Sequence, residues 1–205
     1  MYVETKEQKV LRVLYHLARV EIDRFPAGPG ATIGRVSNEP LEPLLQGPLT
    51  NRGCVAYSLS VMYVERHKRW VHAFDQQGVT DFLLSDEKAE ARVLGEQANL
   101  ALVHHHVTQT QYCPAALQPL VVSRGFSQVP ASEWYFRETV LLLGDQVVIA
   151  GIGEREPDPK SSAPRGYRGP AKTRLVIQHG QTFPLVISND SVVFEHSHEN
   201  IVVPG

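Results

Sequence analysis

The sequence predicts a mainly β protein: an OB-like or related β-barrel of many short antiparallel strands, with one N-terminal amphipathic helix. Short apolar runs recur along most of the chain, and turn residues separate most of them. Fourteen Pro and 15 Gly in 205 residues suit a loop-rich β protein better than a helical one. No stretch alternates strand and helix patterns, which argues against a Rossmann or TIM arrangement.

Taken in order, residues 5–19 read as the helix. Thr5 suits the cap and Gln8 completes a capping box. Val10, Leu14 and Leu17, with Leu11 and Ala18, make an apolar stripe that should pack on the body of the protein. Phe25-Pro26-Ala27-Gly28-Pro29-Gly30 then reads as a linker. Strands are expected at Thr32–Val36 and, most clearly, at Cys54–Glu65, where Val55, Tyr57, Leu59, Val61 and Tyr63 share a face. A proline-bounded loop, 40–48, lies between them. Further strands are expected at Trp70–Phe74, Asp81–Leu84, Ala91–Leu94, Ala101–Val107 and Leu120–Ser123. Trp134–Leu142, Val147–Gly151, Arg174–Gln178 and Phe183–Ile187 complete the set.

This divides the chain into an N-terminal helix segment (1–25), a β domain (31–190) with a flexible loop at 156–173, and a C-terminal tail (191–205). The loop is low in apolar residues and rich in Pro, Ser and basic residues. In the tail, Val192-Val193-Phe194 favours a strand and Asp190-Ser191 suits a helix cap.

Composition excludes several function classes. Twenty Lys+Arg against 22 Asp+Glu leave a net charge of −2, so no basic footprint for nucleic acid is visible. Cys54 and Cys113 are too few for a disulfide framework or a four-thiolate zinc site, which favours a reducing, cytoplasmic location. The N-terminus lacks the apolar core of a signal peptide. The longest run free of Asp, Glu, Lys and Arg, Gln97 to Ser123, holds three histidines and many Gln and Thr, so no membrane insertion is expected.

The candidate chemistry is sparse. His104 and His106 would share a strand face, as would His196 and His198, and i, i+2 histidines are a common zinc-ligand spacing. Cys113 is a further possible ligand. Against a metal, no HExxH or CxxC pattern is present. Gly151-Ile152-Gly153 follows an apolar run but lacks the third glycine and the helix of a dinucleotide loop, so a strand bend or bulge is the reading. There is no GxSxG nucleophile motif. Cys54 suits core packing. Glu133 and Glu138, or Asp81 and Asp86, cannot be paired from sequence, and Asp145 reads as a turn former. Trp70, Phe74, Phe82, Trp134 and Phe136 read as core or barrel-rim residues. On the strand at 134–142, Trp134 and Phe136 are expected to face the core.

Three ordered segments carry a family resemblance: Gly47-Pro-Leu-Thr-Asn-Arg-Gly-Cys-Val-Ala-Tyr57; Asp81-Phe-Leu-Leu-Ser-Asp86 after Trp70; and Glu133-Trp-Tyr-Phe-Arg-Glu138 followed by Leu141-Leu-Leu-Gly-Asp145 and Val147-Val-Ile-Ala-Gly-Ile-Gly-Glu154. With Pro184-Leu-Val-Ile-Ser188, they resemble the GIDE domain of MULAN-type mitochondrial RING ubiquitin ligases, a domain also found in many bacterial proteins. The resemblance covers roughly 31–155 and 174–190. It implies a β-rich interaction or sensing module. The chain lacks the eight Cys/His ligands of a RING, so ubiquitin transfer of its own is not implied. The family's flanking membrane spans have no counterpart here either.

The expected function is therefore a non-catalytic binding module with protein partners, no cofactor and no catalytic residue. The alternative is a metal-dependent enzyme using the His104/His106 and His196/His198 pairs.

Overall fold

The computed structural model describes residues 12–65, 69–103, 106–126, 133–158 and 173–190. Its strands are β1 (Gly28–Val36), β2 (Leu45–Gln46), β3 (Gly53–Cys54), β4 (Ala56–Val64), β5 (Trp70–Val79), β6 (Phe82–Ser85), β7 (Glu90–Val93), β8 (Asn99–Ala101), β9 (His106–Thr110), β10 (Glu133–Leu141), β11 (Gln146–Pro157), β12 (Thr173–Gln178) and β13 (Val186–Ser188). Residues 12–16 are helical (α1), and α2 is Gln118–Ser123. The chain separates into two compact units: Met1–Pro43, Thr80–Ala101 and Leu143–Gly205 form one; Leu44–Val79 and Leu102–Leu142 form the other. The sequence alone suggests one β domain over 31–190. Helical and strand segments of both units interrupt each other along the chain, and local periodicity carries no trace of that.

The first unit is a closed five-stranded barrel. β1 pairs with β6, β6 with β7, β7 with β12, β12 with β11, and β11 returns to β1 from Gly28↔Gly153 to Arg35↔Gln146. Counted as barrel strands one to five in chain order, the arrangement is 1-2-3-5-4-1, with β7 and β12 parallel and the other pairs antiparallel. This is the OB-like barrel expected from the sequence. Closure removes the sheet edges that would otherwise invite pairing. The first half of β11 also pairs with β13, which runs parallel to β8. Alternate residues of each strand point inward. Phe82, Leu84, Val93, Ile149, Leu175 and Ile177 are buried and fill the interior.

The expected linker at 25–30 is part of this barrel. β1 already begins at Gly28, and Phe25 is buried. A Cβ on Gly30 would come within 2.9 Å of the Phe25 ring, and one on Gly153 within 2.6 Å. These glycines make room for the ring. Gly151-Ile152-Gly153 sits in regular register with β1, not in the expected bend or bulge.

The apolar stripe of the N-terminal helix packs as expected. Leu14 is fully buried against Ala31, Val148, Ala150 and Val186, with Val13 and Leu17 alongside. Thr5, Gln8 and Val10 lie outside the described residues. Helical conformation ends at 16, short of the expected 19. The chain there becomes extended along β1: Arg19 bridges Ala31, and Val20 donates its N–H to the Ala31 carbonyl. A short 3-10 turn, Ile22–Arg24, then buries Ile22. Residues 12–25 are thus packed into the barrel unit and not a separate segment.

The second unit is an antiparallel sheet ordered β5-β4-β10-β9, with a β2-β3 pair beside it in the chain. One face buries Leu59, Val61, Phe74, Trp134 and Phe136 against Leu117 and Val121. The last two belong to a 3-10 turn, Ala115–Leu117, and to α2. The expected strand at Leu120–Ser123 is therefore a helix. Pro119 in its first turn suits a helix start, and Leu117 and Val121 are spaced to meet one surface while Val122 stays exposed. The expected strand Ala101–Val107 is two strands, β8 and β9, in different units. β5 runs on to Val79, and a bulge opposite Val61/Met62 re-phases its alternation. The chain of Glu156, Pro157 and Thr173 lies in β11 and β12, which shortens the expected loop at 156–173; residues 159–172 and the tail 191–205 lie outside the described residues.

Candidate functional site

Of the residues proposed for a metal, only His106 and Cys113 lie among the described ones. His106 is exposed on β9, with its Nε2 3.2 Å from Thr108 Oγ1. His104, His196 and His198 lie outside the described residues. Among the described residues, no three His, Cys, Asp or Glu side chains cluster as a metal site. Cys54 and Cys113 are both free. Cys54 is fully buried and donates its S–H towards the Leu45 carbonyl at 3.7 Å. Burial, and then the charge of Glu138, pushes its thiol up to about 11. Burial also pushes the Cys113 thiol up. Neither is a poised nucleophile.

The carboxylates the sequence could not pair serve separate structural ends. Glu133 accepts from Gln109 Nε2 at 2.5 Å. Asp81 accepts from Arg92 at 2.8 Å and from the Gly95 N–H at 2.9 Å. Glu138 is buried, on the same face of β10 as Trp134 and Phe136. It accepts from the N–H of Leu49 at 2.6 Å, the N–H of Thr50 at 3.0 Å and the Thr50 hydroxyl. The Gly47–Arg52 turn is so fastened to β10, which physically joins two of the segments that carry the family resemblance. Asn51 in that turn adopts positive φ, as the turn requires. Sequence reasoning missed this anchor. The Asn-Arg-Gly turn was visible, but nothing local shows that its orphan N–H groups need a distant acceptor.

A polar cleft of about 740 Å³ opens on the barrel unit. Its walls are the β6–β7 loop, the 3-10 turn at Asp23, and the ends of β11 and β12. The loop is held by Asp86, which accepts from the N–H groups of Ile22, Lys88 and Ala89 at 2.8–2.9 Å. Burial works against its charge, but these three donors hold its carboxyl below the usual range. Lys88 pairs with Glu21 at 2.5 Å, which raises the ammonium and lowers the carboxyl. Arg174 pairs with Glu156, and Arg155 donates to the Asp23 carbonyl at 2.9 Å.

The second unit offers a different surface. The face of its sheet opposite α2 carries Trp70, 42% exposed, whose ring meets Tyr135 edge-on with centroids 5.7 Å apart. Trp70 is therefore no core or rim residue, whereas Trp134 and Phe136 are buried and stacked 5.9 Å apart, as expected. No described helix is long and apolar enough to cross a membrane. No family model matches the chain, and no curated protein and no solved structure matches it either.

Proposed function

We propose that the chain is a non-catalytic binding module that engages protein partners, an OB-like barrel resembling the GIDE domain of ubiquitin ligases without transferring ubiquitin itself. The use of charge in the barrel cleft carries this reading. A general acid or base has to exchange its proton with a substrate during turnover. Here Asp86 is spent on three backbone N–H groups, and Lys88 and Arg174 on ion pairs that brace the cleft walls. Such groups fix a shape and a charge pattern, which is what recognition needs. A fold of this kind leaves function to its surfaces.

The test uses a photo-crosslinking amino acid placed singly at exposed positions on both units, in cells and in the full chain. Discrete, position-dependent protein adducts are expected. Alongside, a ubiquitin-charged conjugating enzyme should keep its thioester as long with the protein as without it. Accelerated discharge, or an absence of adducts from every position, would overturn the reading.

A further inference from the structure

The solvent-side face of the second unit's sheet has the residue types that interface centres favour. The register places Tyr135 opposite Met62, and Arg137 opposite Ser60 on one side and Val107 on the other. Trp70 stands opposite Val64, which is buried. Trp, Tyr, Met and Arg are enriched at binding surfaces because they combine large contact area with directed polar ends. Beside this ridge, Ser58 and Ser60 leave β4 low between its neighbours.

Charge on this face is almost all matched within it. Asp75 meets His72 at 2.9 Å, and Glu133 accepts from Gln109. Arg137 is the exception. Its Nε is sealed from solvent and has no acceptor, and among the described residues its guanidinium has no carboxylate partner. A half-buried cation with an unused donor is costly unless something supplies the missing oxygen.

We propose that this face docks a segment of a partner protein bearing an aspartate or glutamate close to an aromatic or aliphatic side chain. This rests on the protein-binding reading above and adds to it the surface and the chemistry of the partner. The carboxylate meets the Arg137 guanidinium, and the apolar side chain covers the Trp70–Tyr135 ridge. Charge complementarity sets the choice of occupant. Among the described residues a phosphate backbone would find the Arg137 cation here and meet Asp75 and Glu133 with repulsion, so a nucleic acid is disfavoured.

The probe is a phage library of random dodecapeptides, panned on the full chain and counter-panned on Arg137→Gln and on Trp70→Ser. Both side chains lie on the solvent side, so melts that stay cooperative with only a small shift are expected and check the fold. Enriched peptides should share an acidic residue within two positions of an aromatic or aliphatic one. A synthetic consensus peptide should bind the parent at least 10-fold more tightly than either variant, and lose as much when its acid becomes the amide. Enriched peptides that ignore both substitutions, or carry no acid, overturn this surface and leave the protein-binding reading standing. No enrichment over the starting library overturns both. A parent dimer that Arg137→Gln dissolves would replace the foreign segment with a second copy of the chain and overturn the proposed occupant.

Discussion

Glu138→Ala should be among the most damaging single changes in the second unit. The side chain is 1% exposed and accepts three hydrogen bonds from one turn, two of them from backbone N–H groups. Those two N–H groups cannot be rebuilt elsewhere while the turn stays in place. Each buried donor left unpaired costs about 1–3 kcal/mol, and partial opening of the turn lets water recover some of it. A net loss of about 3 kcal/mol follows for Ala. Glu138→Gln keeps the shape and one acceptor oxygen, but turns an amide NH₂ towards donors, so it should cost about 1–2 kcal/mol. Neighbouring space is tight as well: a Cβ on Gly47 would come within 3.0 Å of Glu138 Oε2 and of Val140. Urea melts followed by far-UV circular dichroism give the free energies. Amide exchange at Leu49 and Thr50 locates the effect, since both protons should lose protection in the Ala variant before the rest of the sheet does. A Glu138→Ala protein within about 1 kcal/mol of the parent would refute the anchoring argument. So would unchanged protection at those two amides.

Other changes test the packing. Trp134→Ala, which removes a buried ring lying against Tyr63 and Phe136, should cost about 3 kcal/mol or more in the same melts, and Arg137→Ala less than about 1 kcal/mol. Gly153→Ala would drive a methyl into the Phe25 ring and should destabilise the barrel by about 1–3 kcal/mol, measurable as a lowered thermal midpoint. Cys54 makes stability depend on pH. Its folded thiol is held up to about 11 against an ordinary 9.0. Below pH 9 both states keep the proton and its contribution is complete. From pH 9 to 11 the unfolded chain releases a proton that the folded one retains, so stability falls as pH rises. Melts across that window should fall less steeply for Cys54→Ala than for the parent; equal slopes would show that the thiol titrates normally.

Much of the fold could be read because strand signals are local. The alternation that put Leu59, Val61 and Tyr63 on one face of β4 holds in the structure, as does the burial of Trp134 and Phe136. So does the barrel class, since many short apolar segments between turns leave few other ways to hide apolar faces. Strand order was not legible. β1 pairs with β11, and β7 lies parallel to β12, across stretches that themselves build the second unit. Side-chain periodicity reports which way a residue points, not which distant strand lies beside it. The glycines of β1 and β11 show the same limit. Gly30 and Gly153 read as punctuation because the sequence gives no sign that Phe25 returns to fill the space they leave.

The candidate surface was hidden by one misread element. Trp70 and Trp134 both lie at the start of strands of the same sheet, first in β5 and second in β10, and each is followed by an alternating pattern, so nothing local tells a covered tryptophan from an exposed one. What separates them is α2, which covers the face of Trp134 and leaves the other open. Leu120-Val121-Val122 looks like a strand by composition, because two β-branched residues in a row favour the pleated surface. Read as a strand, it would add to the sheet and cover neither face. Read as a helix, it sends Val121 to the sheet beside Leu117 and so fixes which aromatics are core. Trp70, Tyr135 and Arg137 then remain on the side that α2 does not cover. The assignment of six residues, Gln118–Ser123, thus decides which tryptophan is buried beneath a helix and which one stays exposed.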